Sequence, residues 1–71
     1  MHIRQGFSAA CNGFKLFVES GAEQWTALVR DPDSNRTLYT AQRFNAAAAK
    51  DAAIEFATLC APCRVNWQPY W

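Results

Sequence analysis

The residues with the most reactive chemistry in this chain are three cysteines and one histidine: Cys11, Cys60, Cys63 and His2. Cys60-Ala61-Pro62-Cys63 has the two-residue spacing of a redox dithiol, with a proline between the thiols. Such a site needs its attacking thiolate near a helix N-terminus, where the dipole lowers the thiol pKa. Cys60 instead closes a helix-forming segment, and the C-terminal dipole end opposes ionisation. The same pair with Cys11 and His2 makes a three-cysteine, one-histidine zinc set that would tie the N-terminal segment to the helix end. The competing reading makes Cys60 a small buried apolar residue and Cys11 and Cys63 free thiols. Zinc stabilisation is therefore a subsidiary expectation, and no cofactor is expected.

Other candidate chemistry has simpler explanations. His2 is the only histidine, and no serine or cysteine has an identifiable base near it in sequence. Asp31 and Asp33 flank Pro32, where turn formation accounts for both carboxylates without an acid–base pair. The glycines Gly6, Gly13 and Gly21 are scattered and form no phosphate-cradling loop. A non-enzymatic protein is expected.

Composition narrows the classes further. Half of the 71 residues are hydrophobic and 14% are aromatic, which supports an ordered core in a single small domain. Seven basic residues against six acidic give a net charge of +1, which supplies little long-range attraction to a polyanion and little repulsion between copies. The odd cysteine count and the absence of a signal-like apolar core near the start imply a reduced, cytoplasmic chain. The longest apolar run, 46–49, is too short to span a bilayer, so no membrane partner is expected.

These candidates must be positioned by an α+β unit. Residues 14–19 and 25–30 are rich in aromatic and branched side chains, and the short link between them suits an antiparallel hairpin. Asp31-Pro32-Asp33-Ser34-Asn35 concentrates turn formers before a third strand over about 36–44. Asn45 is placed to cap the alanine-rich run that follows, predicting a helix over 45–60. Its apolar stripe is Ala49, Ala52, Ala53, Phe56, Leu59 and Cys60. Pro62 stops the helix, and 61–71 reads as an extended aromatic tail. The predicted fold is α+β: a three-stranded antiparallel sheet over 14–44 in βββα order, a covering C-terminal helix, and an N-terminal segment over 1–13.

Strand alternation then divides the sheet. Phe14, Leu16, Val18, Trp25, Ala27 and Val29 face the helix, with Leu38 and Thr40 from the third strand. Phe17, Leu28 and Tyr39 lie on the other face beside Lys15, Arg30 and Arg36, with Thr37 and Arg43 outside or shifted by a bulge. One helix covers one face, so the second is expected to be a contact surface. Trp67-Gln68-Pro69-Tyr70-Trp71 places three aromatics in five positions. It is a docking motif, a stacking platform, or a flap over the open face. The flap is the expected arrangement, in which case deleting 66–71 lowers stability.

Two partial resemblances rest on this middle region. Glu19-Ser20-Gly21 leading into Trp25-Thr26-Ala27-Leu28-Val29, with Ala49-Lys50-Asp51-Ala52-Ala53-Ile54-Glu55-Phe56-Ala57, resembles the second half of a double-stranded-RNA-binding domain. That family opens its last helix with a serine and a lysine pair that grip phosphate; Asn45, Ala46 and Ala47 stand there, and only Lys50 matches. Trp25-Thr26-Ala27-Leu28-Val29-Arg30-Asp31-Pro32 is similar to a strand and turn of ethylene-response-type DNA-binding domains, which implies Arg30, Arg36 and Tyr39 facing DNA. Both resemblances imply a sheet packed under a helix, and neither matches its family's full set of contact residues.

The resulting expectation is a non-enzymatic interaction module whose open sheet face self-associates or docks a protein. Its binding set is Phe17, Leu28, Arg30, Arg36, Tyr39, Arg43, Trp67 and Trp71. The alternative is nucleic-acid binding through the same face, with Lys15, Arg30, Arg36 and Arg43 on phosphates and aromatic stacking from Tyr39 and the tail.

Overall fold

A computed structural model describes residues 5–59 and 61–69. Its sheet begins earlier than the sequence reading placed it. Strand β1 (Gly6–Cys11) pairs antiparallel with β2 (Phe14–Ser20), in a register from Cys11↔Phe14 to Gly6↔Glu19. The two-residue connection is Asn12-Gly13, with φ of 52° and 83°. Positive φ at both positions gives the turn a twist that matches the flanking strands, and asparagine and glycine tolerate it best. Within the 1–13 segment, residues 6–11 are thus a strand.

Residues 21–24 link β2 to β3 (Trp25–Arg30), with the Gly21 amide donating to the Gln24 carbonyl at 2.7 Å. A side chain at Gly21 would place its Cβ 2.9 Å from that same oxygen, so the loop closes this tightly only around glycine. The turn into β4 (Thr37–Arg43) is tied by Asp31: its Oδ1 accepts from the Asp33 amide at 2.8 Å, and its carbonyl accepts from the Asn35 amide at 2.8 Å. The two aspartates are turn residues, as turn chemistry implied.

Helix α1 (Ala46–Ala57) is capped by Asn45, whose Oδ1 accepts from the Ala48 amide at 2.8 Å. It lies across β2, β3 and β4 and buries Ala49, Ala52, Ala53 and Ala57. Leu16, Val18 and Val29 are the largest fully buried side chains beneath it. Methyl-sized residues on the helix and branched residues on the strands let the two layers approach closely. Helix and sheet thereby form one core.

The helix ends before residue 60. Proline at 62 has no N–H to offer the carbonyl of residue 58, and its ring clashes with that carbonyl in a continuing helix. The chain turns after Ala57 instead, with the Thr58 hydroxyl donating to the Ile54 carbonyl at 2.7 Å. Leu59, expected on the apolar stripe, is therefore 73% exposed. Cys60 lies outside the described residues.

After the helix the chain returns to the far edge of the sheet. A two-residue strand, β5 (Gln68–Pro69), pairs antiparallel with β1 through Phe7↔Pro69 and Ser8↔Gln68. The sheet thus has five strands in the order β4-β3-β2-β1-β5, and the helix sits mid-chain, not at the C-terminus. β1 pairs the backbone groups that the isolated 14–44 sheet would leave open along the outer edge of β2, and β5 does the same for part of the edge of β1.

Register corrects the facing of β4. Val29 pairs with Tyr39 and Ala27 with Ala41, and a bulge lets Arg30 pair with Thr37, skipping Leu38. Tyr39 and Ala41 therefore face the helix, while Thr40 and Leu38 do not. The Tyr39 ring stacks on Phe56 at 4.9 Å and 12°, and Phe14 meets Phe56 edge-on at 5.9 Å. Burying an aromatic ring over α1 favours this register over one that buries Thr40.

Candidate functional site

On the face turned away from α1, Phe17 is registered directly opposite Leu28, and Lys15 opposite Arg30. The Arg30 guanidinium carbon lies 5.3 Å from the centre of the Phe17 ring, a cation–π geometry. The Arg30 Nε is buried, with no hydrogen-bond partner among the described residues. Glu19 stands two positions beyond Phe17 at the opposite end of the strand from Lys15, registered against Thr26. The face is polar at its ends, basic at one and acidic at the other, with an apolar pair between them. Both members of that pair are half-buried.

The other nominated residues are distributed elsewhere. Arg36 is an exposed turn residue whose carbonyl accepts from the Asp31 amide at 2.9 Å. Tyr39 is on the helix face, stacked on Phe56. Arg43 is registered opposite Trp25, on the helix side, and its Nη1 donates to the Gln42 carbonyl at 2.7 Å. Trp67 packs against the core beside α1, with the Lys50 ammonium 5.9 Å from its ring and 3.8 Å from the ring of Phe7. The described part of the tail, 61–69, therefore runs along the helix side and the β1 edge, not over the open face. Trp71 lies outside the described residues. Of the nominated binding set, Phe17, Leu28 and Arg30 form one patch.

The cysteines come together differently from the expected pairs. Cys11, at the end of β1, is 3% exposed within the core, and Cys63 packs against that core and is half-buried. Burial, then the neighbouring Cys63, pushes the Cys11 thiol up to about 11. No group of three or more metal-ligating side chains occurs among the described residues. His2 and Cys60, the other two members of the expected zinc set, lie outside them.

Asn12 is a structural residue that sequence reasoning missed. Its side-chain amide donates to the Ala57 carbonyl at 3.0 Å and the Ala61 carbonyl at 2.7 Å, satisfying acceptors at the end of α1 from the β1–β2 turn. The signal was Asn12-Gly13 between the alternating residues Phe7, Ala9, Cys11 and Phe14, Leu16, Val18. Beside it opens a cavity of about 480 Å³ lined by Asn12, Phe14, Phe56, Ala57, Leu59 and Ala61. Both Asn12 amide hydrogens are engaged, so the lining presents no convergent polar groups to orient a small molecule.

No described helix is long and apolar enough to cross a membrane. Comparison with protein-family models, curated proteins and solved structures returned no match.

Proposed function

We propose that this chain is a small non-enzymatic interaction module that pairs with a second copy of itself through the sheet face turned away from α1. The observation that carries this reading is the charge layout around Phe17 and Leu28. Lys15 and Arg30 stand at one end of the patch, and Glu19 at the other. A two-fold axis through the Phe17–Leu28 pair sets the basic end of one copy over the acidic end of the other, and the apolar pair against itself. The near-zero net charge adds little repulsion between copies. Four long strands about 4.8 Å apart and ~20 Å long present only ~400 Å² of face, at the low end for a protein interface, so the dimer is weak.

Sedimentation velocity of the full chain across a concentration series tests this. The average mass should rise toward that of two chains, and added salt should weaken the association. Leu28→Lys should keep the fold and lose the concentration dependence. A wild-type chain that remains monomeric up to millimolar concentration overturns the proposal.

One observation favours a second reading, nucleic-acid binding. Lys15 and Arg30 stand side by side next to an aromatic ring, an arrangement suited to phosphate with base stacking. Arg43, Tyr39 and Trp67 are on the other side of the sheet, so the cationic surface is small. Affinity for single-stranded DNA that falls steeply with salt would support it. No binding at low salt to DNA or RNA, single- or double-stranded, would remove it.

A further inference from the structure

Cys11 and Cys63 are 52 positions apart in sequence, yet Cys63 packs against the buried cluster that contains Cys11, and Asn12, next to Cys11, donates to the Ala61 carbonyl at 2.7 Å; Cys11 is on a strand and Cys63 in the irregular segment after α1. Both are free thiols. Cys11 is held by the β1–β2 ladder and points into the core under the helix end. Cys63 has no ladder to hold it; its sulfur lies 3.5 Å from the Arg64 carbonyl oxygen, and its segment carries no regular structure until Gln68. A disulfide requires sulfurs at bonding distance and Cβ atoms within about 4.5 Å, and an unpaired segment can make that last adjustment at low cost.

We propose that Cys11 and Cys63 are an oxidative modification site: a small-molecule disulfide of the glutathione type converts them to an intramolecular disulfide that staples the segment after α1 to β1. The chemistry runs in two exchanges. The Cys63 thiolate, the more accessible of the two, attacks one sulfur of the oxidant, forming a mixed disulfide and releasing one small thiolate, which takes up a proton. Cys11 then loses its proton to solvent, and its thiolate attacks the Cys63 sulfur, breaking the mixed bond and releasing the second small thiol. Two protein thiols are oxidised to one disulfide, and one small disulfide is reduced to two thiols. The burial that keeps Cys11 protonated makes the second exchange the slower one.

The pairing differs from the one the local spacing suggests. Cys60 and Cys63 are neighbours in sequence, but the Cys63 side chain packs against the cluster that contains Cys11. Bridging 11 to 63 closes a 53-residue loop, and constraining the unfolded chain to that extent raises Tm by roughly 10 °C or more.

The test uses the full chain equilibrated in graded mixtures of oxidised and reduced glutathione, quenched with acid, alkylated, and digested without reduction. Trypsin separates residues 5–15 from residues 51–64, which hold both Cys60 and Cys63. The expected product in the wild type and in Cys60→Ser is 5–15 joined to 51–64 with the loss of two hydrogens, together with the Tm increase, and both revert on reduction. Cys63→Ser should give no such product. A bridge confined to 51–64 with Cys11 still alkylated, a persistent mixed disulfide at Cys63, or linkage only between separate chains overturns the proposal.

Discussion

The two faces of the sheet are built from the same strands but to different standards. On the helix side, Leu16, Val18, Ala27 and Val29 are wholly removed from solvent, in one cluster with the buried alanines of α1. On the other side, Phe17, Leu28 and Arg30 are half-buried, and threonines complete the surface at Thr26 and Thr40. The helix face tolerates little change in volume, because an alanine-lined helix leaves no slack in either direction. The open face has no such limit among the described residues, so its sequence is free to answer to a second requirement. What the difference teaches is where to separate stability from association.

The largest effect should come from Leu16→Ala, at about 3–4 kcal/mol. A domain of this size is stable by only ~4–10 kcal/mol in total, so this substitution alone removes a large share. Leu28→Ala on the opposite face of the neighbouring strand should cost about 1 kcal/mol or less. Urea titrations of the two variants measure both, and equal costs would break the distinction between faces. Phe56→Ala comes next, at about 2–3 kcal/mol: the ring touches both Phe14 and Tyr39 but is only half-buried, so it falls short of a fully buried phenylalanine. Ala53→Leu tests the same face from the helix side. Ala53 is wholly buried, and overpacking there should cost ~1–3 kcal/mol by the same titration.

The Cys11 thiol adds a pH dependence belonging to the helix side alone. Its folded pKa is raised from 9.0 to about 11, so the folded state holds a proton that the unfolded state has released between those values. The resulting stability is fully present below pH 9 and is lost as pH rises toward 11. Denaturation midpoints measured across that window should fall more steeply for the wild type than for Cys11→Ala. Parallel slopes would show that burial of this thiol does not govern its ionisation.

Much of the helix face was legible in the sequence, and the reasons are local. Strand alternation from Phe14 to Arg30, the Asp31 turn and the Asn45 cap each depend on neighbours within a few residues. β1 carried an equally local signal in Asn12-Gly13, but its small residues Ser8, Ala9 and Ala10 gave a weak strand pattern around it. The facing of β4 was not local. Leu38, Tyr39, Thr40 and Ala41 fit either face, and the choice was made by the bulge opposite Val29 and Arg30 and by stacking of Tyr39 on Phe56. Nor was the path of the tail: Trp67 follows the helix side because Lys50, distant in sequence and also seated over the Phe7 ring, meets it there. Its deletion is expected to destabilise the protein either way, so loss of stability in a truncated chain does not distinguish a flap from an edge strand. Of the open patch, Phe17, Leu28 and Arg30 were legible from alternation alone, because β2 and β3 pair without a bulge.

The smallest expected stability effect is the most informative about the open face. Leu28→Lys replaces an apolar residue between Phe17 and Thr40 with one whose long stem can lie along the sheet while its ammonium reaches water. The folded monomer should therefore lose about 1 kcal/mol or less, within the range of ordinary surface substitutions. Between two copies the same change sets two lysines against each other at the two-fold axis, where the apolar pair would otherwise close, and adds them to Lys15 and Arg30. Self-association should then fall at least tenfold in sedimentation while the urea midpoint barely moves. A large drop in the midpoint would mean that Leu28 is held as tightly as Leu16. The two faces would then be built to one standard, and the open one would have no latitude for a partner.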